Sequence, residues 1–254
     1  MEADMIKLKN KEQLAIMKEA CVITGETLYA AGEKIREGIS TKELDTFIRD
    51  FIERHGARPT FLGYGGFPGS ACISVNEQVI HGIPSDKVIL KDGDIVKIDV
   101  GAYYKGFTGD SACTFPVGNV SEQAKKLIEV TRESFYRGIA NAVPGKRIGD
   151  IGFGIEQHVT ENGFSVVRSF VGHGVGHELH EDPEVPNYGT PGRGVRLCAG
   201  MTIAVEPMVN VGTHKVRVLD DKWTVVTEDG KLSAHYEHTV AITDDGPLLL
   251  TKVC

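Results

Sequence analysis

Hydrophobic and polar positions follow two periods along the chain, and these predict pairs of helices followed by strands. Apolar residues recur at the three- and four-residue spacing of one helix face in four segments, which begin near Asn10, Ser40, Ser121 and Asp150. Each of these four residues is a preferred helix N-cap. Shorter apolar or alternating runs predict strands at 71–74, 78–80, 94–115 (a hairpin), 165–170, 201–209, 223–227 and 234–242.

The order of helix, helix and strands occurs twice. The segments 93–99 and 200–206 both begin with glycine and end in a carboxylate six residues later, at Asp99 and Glu206. We interpret this as an internal duplication, although two similar halves could also arise by chance. The expected fold class is α/β (α+β), with pseudo-symmetric helix-helix-sheet halves at about 10–118 and 119–254 in one catalytic domain, 1–254. A cleft between such halves is a favoured position for a ligand site.

The predicted hairpin at 94–115 places two aspartates on one face. With Tyr104, Lys105 and Gly106 at the turn, Asp99 and Asp110 would lie opposite each other, with Cβ atoms about 5 Å apart. Two carboxylates this close repel each other unless one is protonated or a cation binds. This prediction has two alternatives. The aspartates could lie on a solvent-exposed face, or a bulge at Gly106 could shift the strand pairing by one residue.

Composition narrows the function classes. The chain has 254 residues, of which 41% are hydrophobic and 25% charged, as in ordinary globular proteins. The net charge of −7 argues against a protein that binds the phosphate backbone of nucleic acids, so we expect no direct nucleic-acid recognition. No apolar run reaches membrane-spanning length and the first residues lack the apolar core of a signal peptide, so we expect no membrane partner.

The five cysteines are scattered and odd in number, and none is in CxxC spacing. This pattern favours free thiols over a disulfide framework or a thiolate zinc site. We therefore expect a reducing compartment, the cytoplasm.

Two further acids are predicted to face the aspartate pair. If the halves face each other, Glu206 lies near Asp99 and Asp110, and the last strand turns Glu237 to the same side as His235. Four carboxylates cannot be buried together without neutralisation. One or two divalent metal ions would neutralise them.

Histidines extend this prediction. His173, His177 and His180 lie close together on a glycine-rich loop, although loop histidines are usually surface residues. One imidazole in a shell of oxygen ligands favours Mn²⁺, Fe²⁺ or Co²⁺ over a structural thiolate zinc site.

Five segments in order carry a resemblance to a known family: 81–84 (HGIP), 97–115, 172–183 (GHGVGHELHEDP), 201–208 (MTIAVEPM) and 233–239 (SAHYEHT). They are similar to type I methionine aminopeptidases, and the resemblance covers essentially the whole chain. It implies the duplicated pita-bread fold around a central antiparallel sheet. It also implies hydrolysis of the N-terminal methionine from nascent proteins and peptides whose second residue is small, by a hydroxide that bridges two metals and attacks the first peptide carbonyl.

The resemblance also implies metal ligands at matching positions. Asp99 would chelate one metal, Asp110 and Glu237 would bridge both, and His173 and Glu206 would hold the other. Co²⁺, Mn²⁺ and Fe²⁺ are the implied ions, with Zn²⁺ as a further candidate.

Catalytic and pocket residues are implied in the same way. His81 would assist binding and proton transfer at the scissile amide, His180 would stabilise the oxyanion, and Glu206 would act as general base. The residues matching the methionine pocket are Tyr64, Phe67, Cys72 and Trp223. His177 is expected at the surface or behind the ligands, and His235 and His238 are expected to be structural.

One departure concerns Leu179, where the family often has an aromatic residue, so the wall of the methionine pocket is expected to differ in shape. The length resembles that of the short bacterial form. Nascent chains are the implied partners, with ribosome proximity and a monomeric state as further expectations. The alternatives are a prolidase or proline-specific aminopeptidase of the same fold, a non-catalytic pita-bread binding protein, and a creatinase-like hydrolase, which the acid set disfavours.

Overall fold

The computed structural model describes residues 6–253 of the chain. Within this range two helices precede one group of strands and two more precede the next, as the sequence predicts. The helices are α1 (Lys11–Gly32), α2 (Thr41–Arg54), α3 (Glu122–Ile139) and α4 (Ile148–Glu161). None of them is long and apolar enough to cross a lipid bilayer.

The strands of the first part are β1 (Arg58–Pro59), β2 (Ala71–Val75), β3 (Gln78–Ile80), β4 (Ile95–Tyr104) and β5 (Phe107–Pro116). Those of the second part are β6 (Ser165–Val166), β7 (Gly172–Gly174), β8 (Glu181–Val185), β9 (Thr202–Val205), β10 (Met208–Asn210), β11 (Val216–Val218), β12 (Val225–Thr227), β13 (Ser233–His235), β14 (His238–Thr243) and β15 (Gly246–Leu249).

Three of the predicted helix caps are confirmed. Asn10 Oδ1 accepts from the Gln13 N–H at 2.9 Å, Ser40 Oγ accepts from Glu43 at 3.1 Å, and Ser121 Oγ accepts from Ala124 at 3.2 Å. The fourth prediction is wrong, because α4 begins at Ile148 and its N-cap is Arg147. Asp150 lies in the first turn, where its carboxylate accepts from the Arg147 N–H at 2.8 Å.

The two halves use the same pairing order. In the first half β4 lies between β2 and β5, with β1 also paired to β4. In the second half β9 lies between β7 and β14, and β8 and β15 extend that sheet. All of these pairs are antiparallel. The apolar faces of α1 and α2 cover the first set, and those of α3 and α4 cover the second.

Hydrogen bonds between β5 and the segment 235–239 join the halves. The Glu237 N–H donates to the Ala112 carbonyl at 2.9 Å. The Thr239 hydroxyl accepts from the Asp110 N–H at 3.0 Å and donates to the Asp110 carbonyl at 2.8 Å. These contacts bring β5 directly against the last strands of the chain.

The predicted hairpin forms, but its predicted register is wrong. The turn contains only Lys105 and Gly106, with φ values of 47° and 88°. Positive φ at both central residues is what a two-residue type I′ turn requires. Asp99 therefore pairs with Ala112, and Asp110 pairs with Gly101. The aspartates keep a common face, but as diagonal neighbours, two residues from the predicted pairing and not the one-residue shift of a bulge.

Two predicted strands are each broken at a glutamate. The segment 201–209 stops at Glu206 and Pro207, because proline cannot donate to a strand ladder. The segment 234–242 stops at Tyr236 and Glu237, where the chain leaves β10 as its partner and joins β9. Two further strands are shorter than predicted, β6 at Ser165–Val166 and β12 at Val225–Thr227. The glycine-rich loop predicted to carry His173, His177 and His180 contains β7 and the start of β8.

Candidate metal centre

A cavity of about 150 Å³ lies where the two halves meet. Such a volume is below the roughly 300–1,000 Å³ of pockets for drug-sized ligands, so it suits a single side chain. It has a polar end and an apolar end. All of the residues predicted for the site line it, and so do Leu179, expected at the pocket wall, and Phe61, which the sequence analysis did not assign. The lining residues are Phe61, Tyr64, Phe67, Cys72, His81, Asp99, Asp110, His173, Leu179, His180, Glu206, Trp223 and Glu237.

The first half supplies two carboxylates from the β4–β5 hairpin. Asp110 is 4% exposed, and Asp99 is partly buried. One oxygen of each, Oδ1 in both residues, is fully buried and has no hydrogen-bond partner. Buried polar atoms of this kind are uncommon in folded proteins, and each implies a missing partner.

The second half supplies two glutamates from the broken strands. Glu206 lies between β9 and β10, and Glu237 lies between β13 and β14. Glu237 is 2% exposed, and its backbone is bonded to Ala112 of β5. The breaks therefore deliver both side chains to the face of β5 that carries Asp110.

His173 on β7 completes the polar shell. Its Nδ1 lies 2.9 Å from the Gly174 carbonyl oxygen, which can only accept, so Nδ1 carries the proton. Nε2 is thereby left with a free lone pair, the form that binds metals. Nε2 lies 3.5 Å from Glu206 Oε1 and 3.7 Å from Asp110 Oδ2. One ligand atom each from Asp110, His173 and Glu237 lie within 4.8 Å of one another.

The electrostatics of these groups are unfavourable without a cation. Burial, reinforced by the neighbouring carboxylates, raises the pKa of Asp99, Glu206 and Glu237 well above their ordinary values. Burial also raises the pKa of Asp110. Burial and the nearby His180 lower the pKa of His173 to about 3, so this imidazole is neutral.

The donor set fits divalent cations. Four carboxylates and one neutral imidazole converge on the cavity, and two carboxylate oxygens are buried without partners. Without a cation, protonation is required to relieve the repulsion among the carboxylates. Oxygen-rich shells with one histidine suit Mn²⁺, Fe²⁺ or Co²⁺.

Two more histidines line the cavity. His180 Nδ1 lies 2.7 Å from the Tyr64 hydroxyl, and its ring centroid is 4.1 Å from that of His173. His81 has a positive φ of 58°, an uncommon conformation for a residue with a side chain. Its ring meets Phe170 and Trp223 edge-on. Burial, with a smaller effect of His180, lowers the pKa of His81 to about 4, and burial lowers that of His180.

A buried ion pair fixes the loop that carries His180. Lys9 Nζ lies 2.5 Å from Glu181 Oε2, and both side chains are almost fully buried. The other carboxylate oxygen, Oε1, accepts from the His177 N–H at 2.9 Å and from the Glu178 N–H at 3.3 Å. The segment before α1 therefore holds the turn between β7 and β8.

The apolar end contains the predicted pocket residues. Phe67 and Trp223 meet edge-on with centroids 5.1 Å apart, and Cys72 pairs with Asp99 across β2 and β4. Phe61 and Leu179 pack into the same cluster. The sequence analysis did not assign Phe61 to the site, although it begins the glycine-rich aromatic loop that carries Tyr64.

Three other histidines considered in the sequence analysis differ in their surroundings. His177 is exposed, bonds to the Gly106 carbonyl at 2.7 Å and stacks on Phe107. His238 bonds to Thr251 and Tyr236, as a structural histidine should. His235 differs, because its ring is 1% exposed, has no hydrogen-bond partner and lies 3.7 Å from Glu206.

Comparisons with known proteins agree with this geometry. Residues 15–244 match the sequence profile of metallopeptidase family M24. The methionine aminopeptidase of Clostridium perfringens is 58% identical over 249 residues, which cover 98% of this chain and 100% of that protein. The crystal structure of methionine aminopeptidase from Thermotoga maritima superposes with a TM-score of 0.96 at 45% identity, covering 98% of this chain and 100% of that one.

A prolidase structure from Pyrococcus horikoshii is also similar, with a TM-score of 0.79 at 27% identity. The match covers 97% of this chain and 64% of the prolidase. The predicted pita-bread fold is confirmed by these neighbours, and the predicted resemblance to methionine aminopeptidases is confirmed by the higher identity and full coverage of those relatives.

We expect a divalent cation to stabilise the protein more at about pH 7.5 than at about pH 6. A carboxylate whose pKa is higher in the folded than in the unfolded state stabilises the metal-free fold at low pH. This stabilisation is lost as the pH rises through the pKa of the folded state. A cation replaces the protons and removes that loss. Melting of chelator-treated protein, with and without Mn²⁺ at both pH values, measures the difference.

The matched variants are Asp99→Asn and Glu237→Gln. Without metal, each should melt above wild type at about pH 7.5, because one repelling carboxylate is gone. With Mn²⁺, each should melt below wild type. An Mn²⁺ effect that is equal at the two pH values would contradict the predicted repulsion. Lys97, whose pKa burial lowers to about 7, acts in the opposite direction above that pH, but it is one group against several carboxylates.

Proposed function

The chain belongs to metallopeptidase family M24, and from this membership we propose that it is a methionine aminopeptidase, which hydrolyses the first peptide bond of chains that begin with methionine. One observation carries the proposal. A single cavity joins a carboxylate and histidine shell to a pocket lined by aromatic, aliphatic and sulfur-bearing side chains. A flexible thioether packs well against such surfaces.

The enzyme is a metallopeptidase, and we propose that Asp99, Asp110, His173, Glu206 and Glu237 hold two divalent cations. Asp110, His173 and Glu237 each place one ligand atom within 4.8 Å of the others and would form the core of the ligand set. When bound, the cations would act as Lewis acids that activate water and polarise the scissile carbonyl. Mn²⁺, Co²⁺ and Fe²⁺ are the proposed ions, with Zn²⁺ as a further candidate.

His180 is proposed to stabilise the oxyanion. Burial raises the pKa of the Tyr64 phenol, so this hydroxyl keeps its proton and can donate to His180 Nδ1. That contact leaves the proton of the neutral imidazole on Nε2. An Nε2–H in the cavity can donate to the carbonyl oxygen as negative charge develops on it.

His81 is proposed to bind the scissile amide and assist proton transfer. The β3–β12 pairing places Ile80 opposite Val225, which brings His81 beside Trp223 at the boundary of the pocket. Its lowered pKa keeps the imidazole neutral, able both to accept and to donate a proton.

Glu206 is proposed as the general base that takes the proton of the attacking water. Its carboxylate lies beside His173 and is partly accessible from the cavity. Tyr64, Phe67, Cys72 and Trp223 are proposed to bind the methionine side chain, together with Leu179. The small cavity favours a small second residue in the substrate.

The substrates are proposed to be the N-termini of nascent polypeptides, so that the enzyme works near the ribosome. Both halves of the chain contribute to the lining of the cavity, which supports a single catalytic domain, and we propose that the enzyme is a monomer. Scattered cysteines are typical of a reducing compartment, and we propose the cytoplasm. The prolidase alternative is not favoured, because the methionine aminopeptidase relatives match at higher identity over their full length.

Peptide assays test this proposal. We expect chelator-treated protein to be inactive and to regain release of methionine from Met-Ala-Ser when Mn²⁺ or Co²⁺ is added. Met-Leu-Ser should be cleaved at least about tenfold more slowly, since the cavity excludes a large second side chain. Cleavage of Ala-Pro without cleavage of Met-Ala-Ser would transfer the protein to the prolidase group. Inactivity on both peptides with cations bound would indicate a binding protein.

Replacement of the two cavity histidines separates catalysis from metal binding. We expect His81→Ala and His180→Ala to keep the wild-type cation content, measured by elemental analysis, because neither residue is a proposed ligand. Turnover of Met-Ala-Ser should fall by about 10²–10³ for His180→Ala, as for loss of one oxyanion donor. His177→Ala, on the exposed part of the same loop, is the matched control and should retain activity. Loss of cations from either cavity variant would contradict the assigned roles.

A further inference from the structure

His235 is the buried histidine that the reaction described above does not use. Its side chain is 1% exposed, and both ring nitrogens are buried without a hydrogen-bond partner. The backbone of the residue is fully satisfied by Thr114, whose hydroxyl accepts from the His235 N–H and donates to the His235 carbonyl, both at 2.8 Å. The missing partner therefore concerns the imidazole alone.

A second histidine in the same segment shows what a structural role looks like. His238 Nδ1 lies 2.8 Å from Thr251 Oγ1, and its Nε2 lies 3.1 Å from the Tyr236 hydroxyl. Both nitrogens of His238 are thus paired. Neither nitrogen of the His235 ring is paired.

A proposed metal ligand lies close to the His235 ring. Its Nε2 lies 3.7 Å from Glu206 Oε2, while the other oxygen of that carboxylate, Oε1, lies 3.5 Å from His173 Nε2. The pairing of Met208 with His235 across β10 and β13 fixes this approach, because Glu206 is two residues before Met208. Glu206 is therefore between two imidazoles, one on each oxygen.

We propose, on the basis of the function inferred above, that His235 is a positioning residue for Glu206, whose Oε2 it holds through an Nε2–H hydrogen bond. The other oxygen, Oε1, then remains directed to the cations and the reacting water. Both nitrogens of the His235 ring are buried without a partner, so the ring can supply a donor to a neighbouring acceptor. Glu206 Oε2, 3.7 Å from Nε2, is a carboxylate oxygen that can accept that hydrogen bond.

The present separation is about 0.8 Å longer than a normal N–H···O bond of about 2.9 Å. A carboxylate that ligates a cation is ionised, and hydrogen bonds to ionised acceptors are shorter and stronger than those to neutral ones. We expect the bond to close in the metal-loaded enzyme. Groups that orient metal ligands in this way typically change metal affinity or activity by about 10–100-fold when removed.

Two substitutions and one matched control test the proposal. His235→Phe keeps a ring of similar shape but removes the donor, and His235→Gln keeps an N–H donor on a flexible side chain. His238→Phe removes a partly buried histidine of the same segment whose ring nitrogens have other partners. The readouts are the Mn²⁺ dissociation constant by calorimetry on chelator-treated protein, and kcat and KM for Met-Ala-Ser.

We expect His235→Phe to weaken Mn²⁺ binding by about 10–100-fold and to lower kcat more than it changes KM. His235→Gln should recover most of both losses, and His238→Phe should keep wild-type Mn²⁺ affinity despite lower thermal stability. Wild-type Mn²⁺ affinity in folded His235→Phe, or a Gln variant no better than the Phe variant, would overturn the proposal. If wild type binds Mn²⁺ but releases no methionine, the proposed function fails while the affinity test of His235 still stands.

A measurement on wild type covers the case in which His235→Phe does not fold. In protein labelled with ¹⁵N and loaded with diamagnetic Zn²⁺, we expect the His235 Nε2 to carry a proton that is protected from exchange, with a resonance that changes when the cation is removed. An unprotonated Nε2 in the Zn²⁺-loaded protein would contradict the hydrogen bond to Glu206.

Discussion

Mutual repulsion among four buried carboxylates is the constraint on which the rest of this structure depends. Asp99, Asp110, Glu206 and Glu237 face one small cavity, and burial together with their proximity opposes ionisation of the set. Protons can relieve the repulsion, but protonated acids are poor ligands and poor bases. Divalent cations would relieve it and add catalytic chemistry, and under the proposed function the fold and its metals form one energetic unit. The cost of assembling the acids is the physical reason to expect cations at this site.

The backbone explains how acids from distant parts of the chain reach one point. A side chain within a regular strand lies on a face of that strand's own sheet. Both glutamates instead lie where one strand ends and the next strand of the chain pairs with a different partner. At Glu206 the break follows from Pro207, and at Glu237 it accompanies backbone bonds to Ala112 on β5. The interruptions of the sheet therefore position two residues of the proposed site. His173 reaches the same point from β7, and His180 reaches it from the loop that the ion pair of Lys9 and Glu181 holds.

Local features could be predicted from sequence, and features that depend on distant partners could not. The N-caps at Asn10 and Ser40 and the shared face of Asp99 and Asp110 follow from short-range spacing, and the structure contains them. The predicted hairpin register is wrong, because Lys105 adopts a positive φ that its residue type does not predict. The assembly of predicted site residues in one cavity was accessible through family resemblance. The role proposed for the unpartnered His235 ring could not be predicted from the sequence, because it depends on the position of Glu206 across two strands.

The central claim is that the carboxylates exist to hold a pair of cations at the join between the halves. Anomalous scattering from crystals of the Mn²⁺-loaded protein tests it most directly. The account predicts two manganese peaks about 3.5–4 Å apart, with Asp110 and Glu237 in contact with both and His173 in contact with one. A cavity without manganese at saturating concentration, or peaks only outside it, would contradict the account.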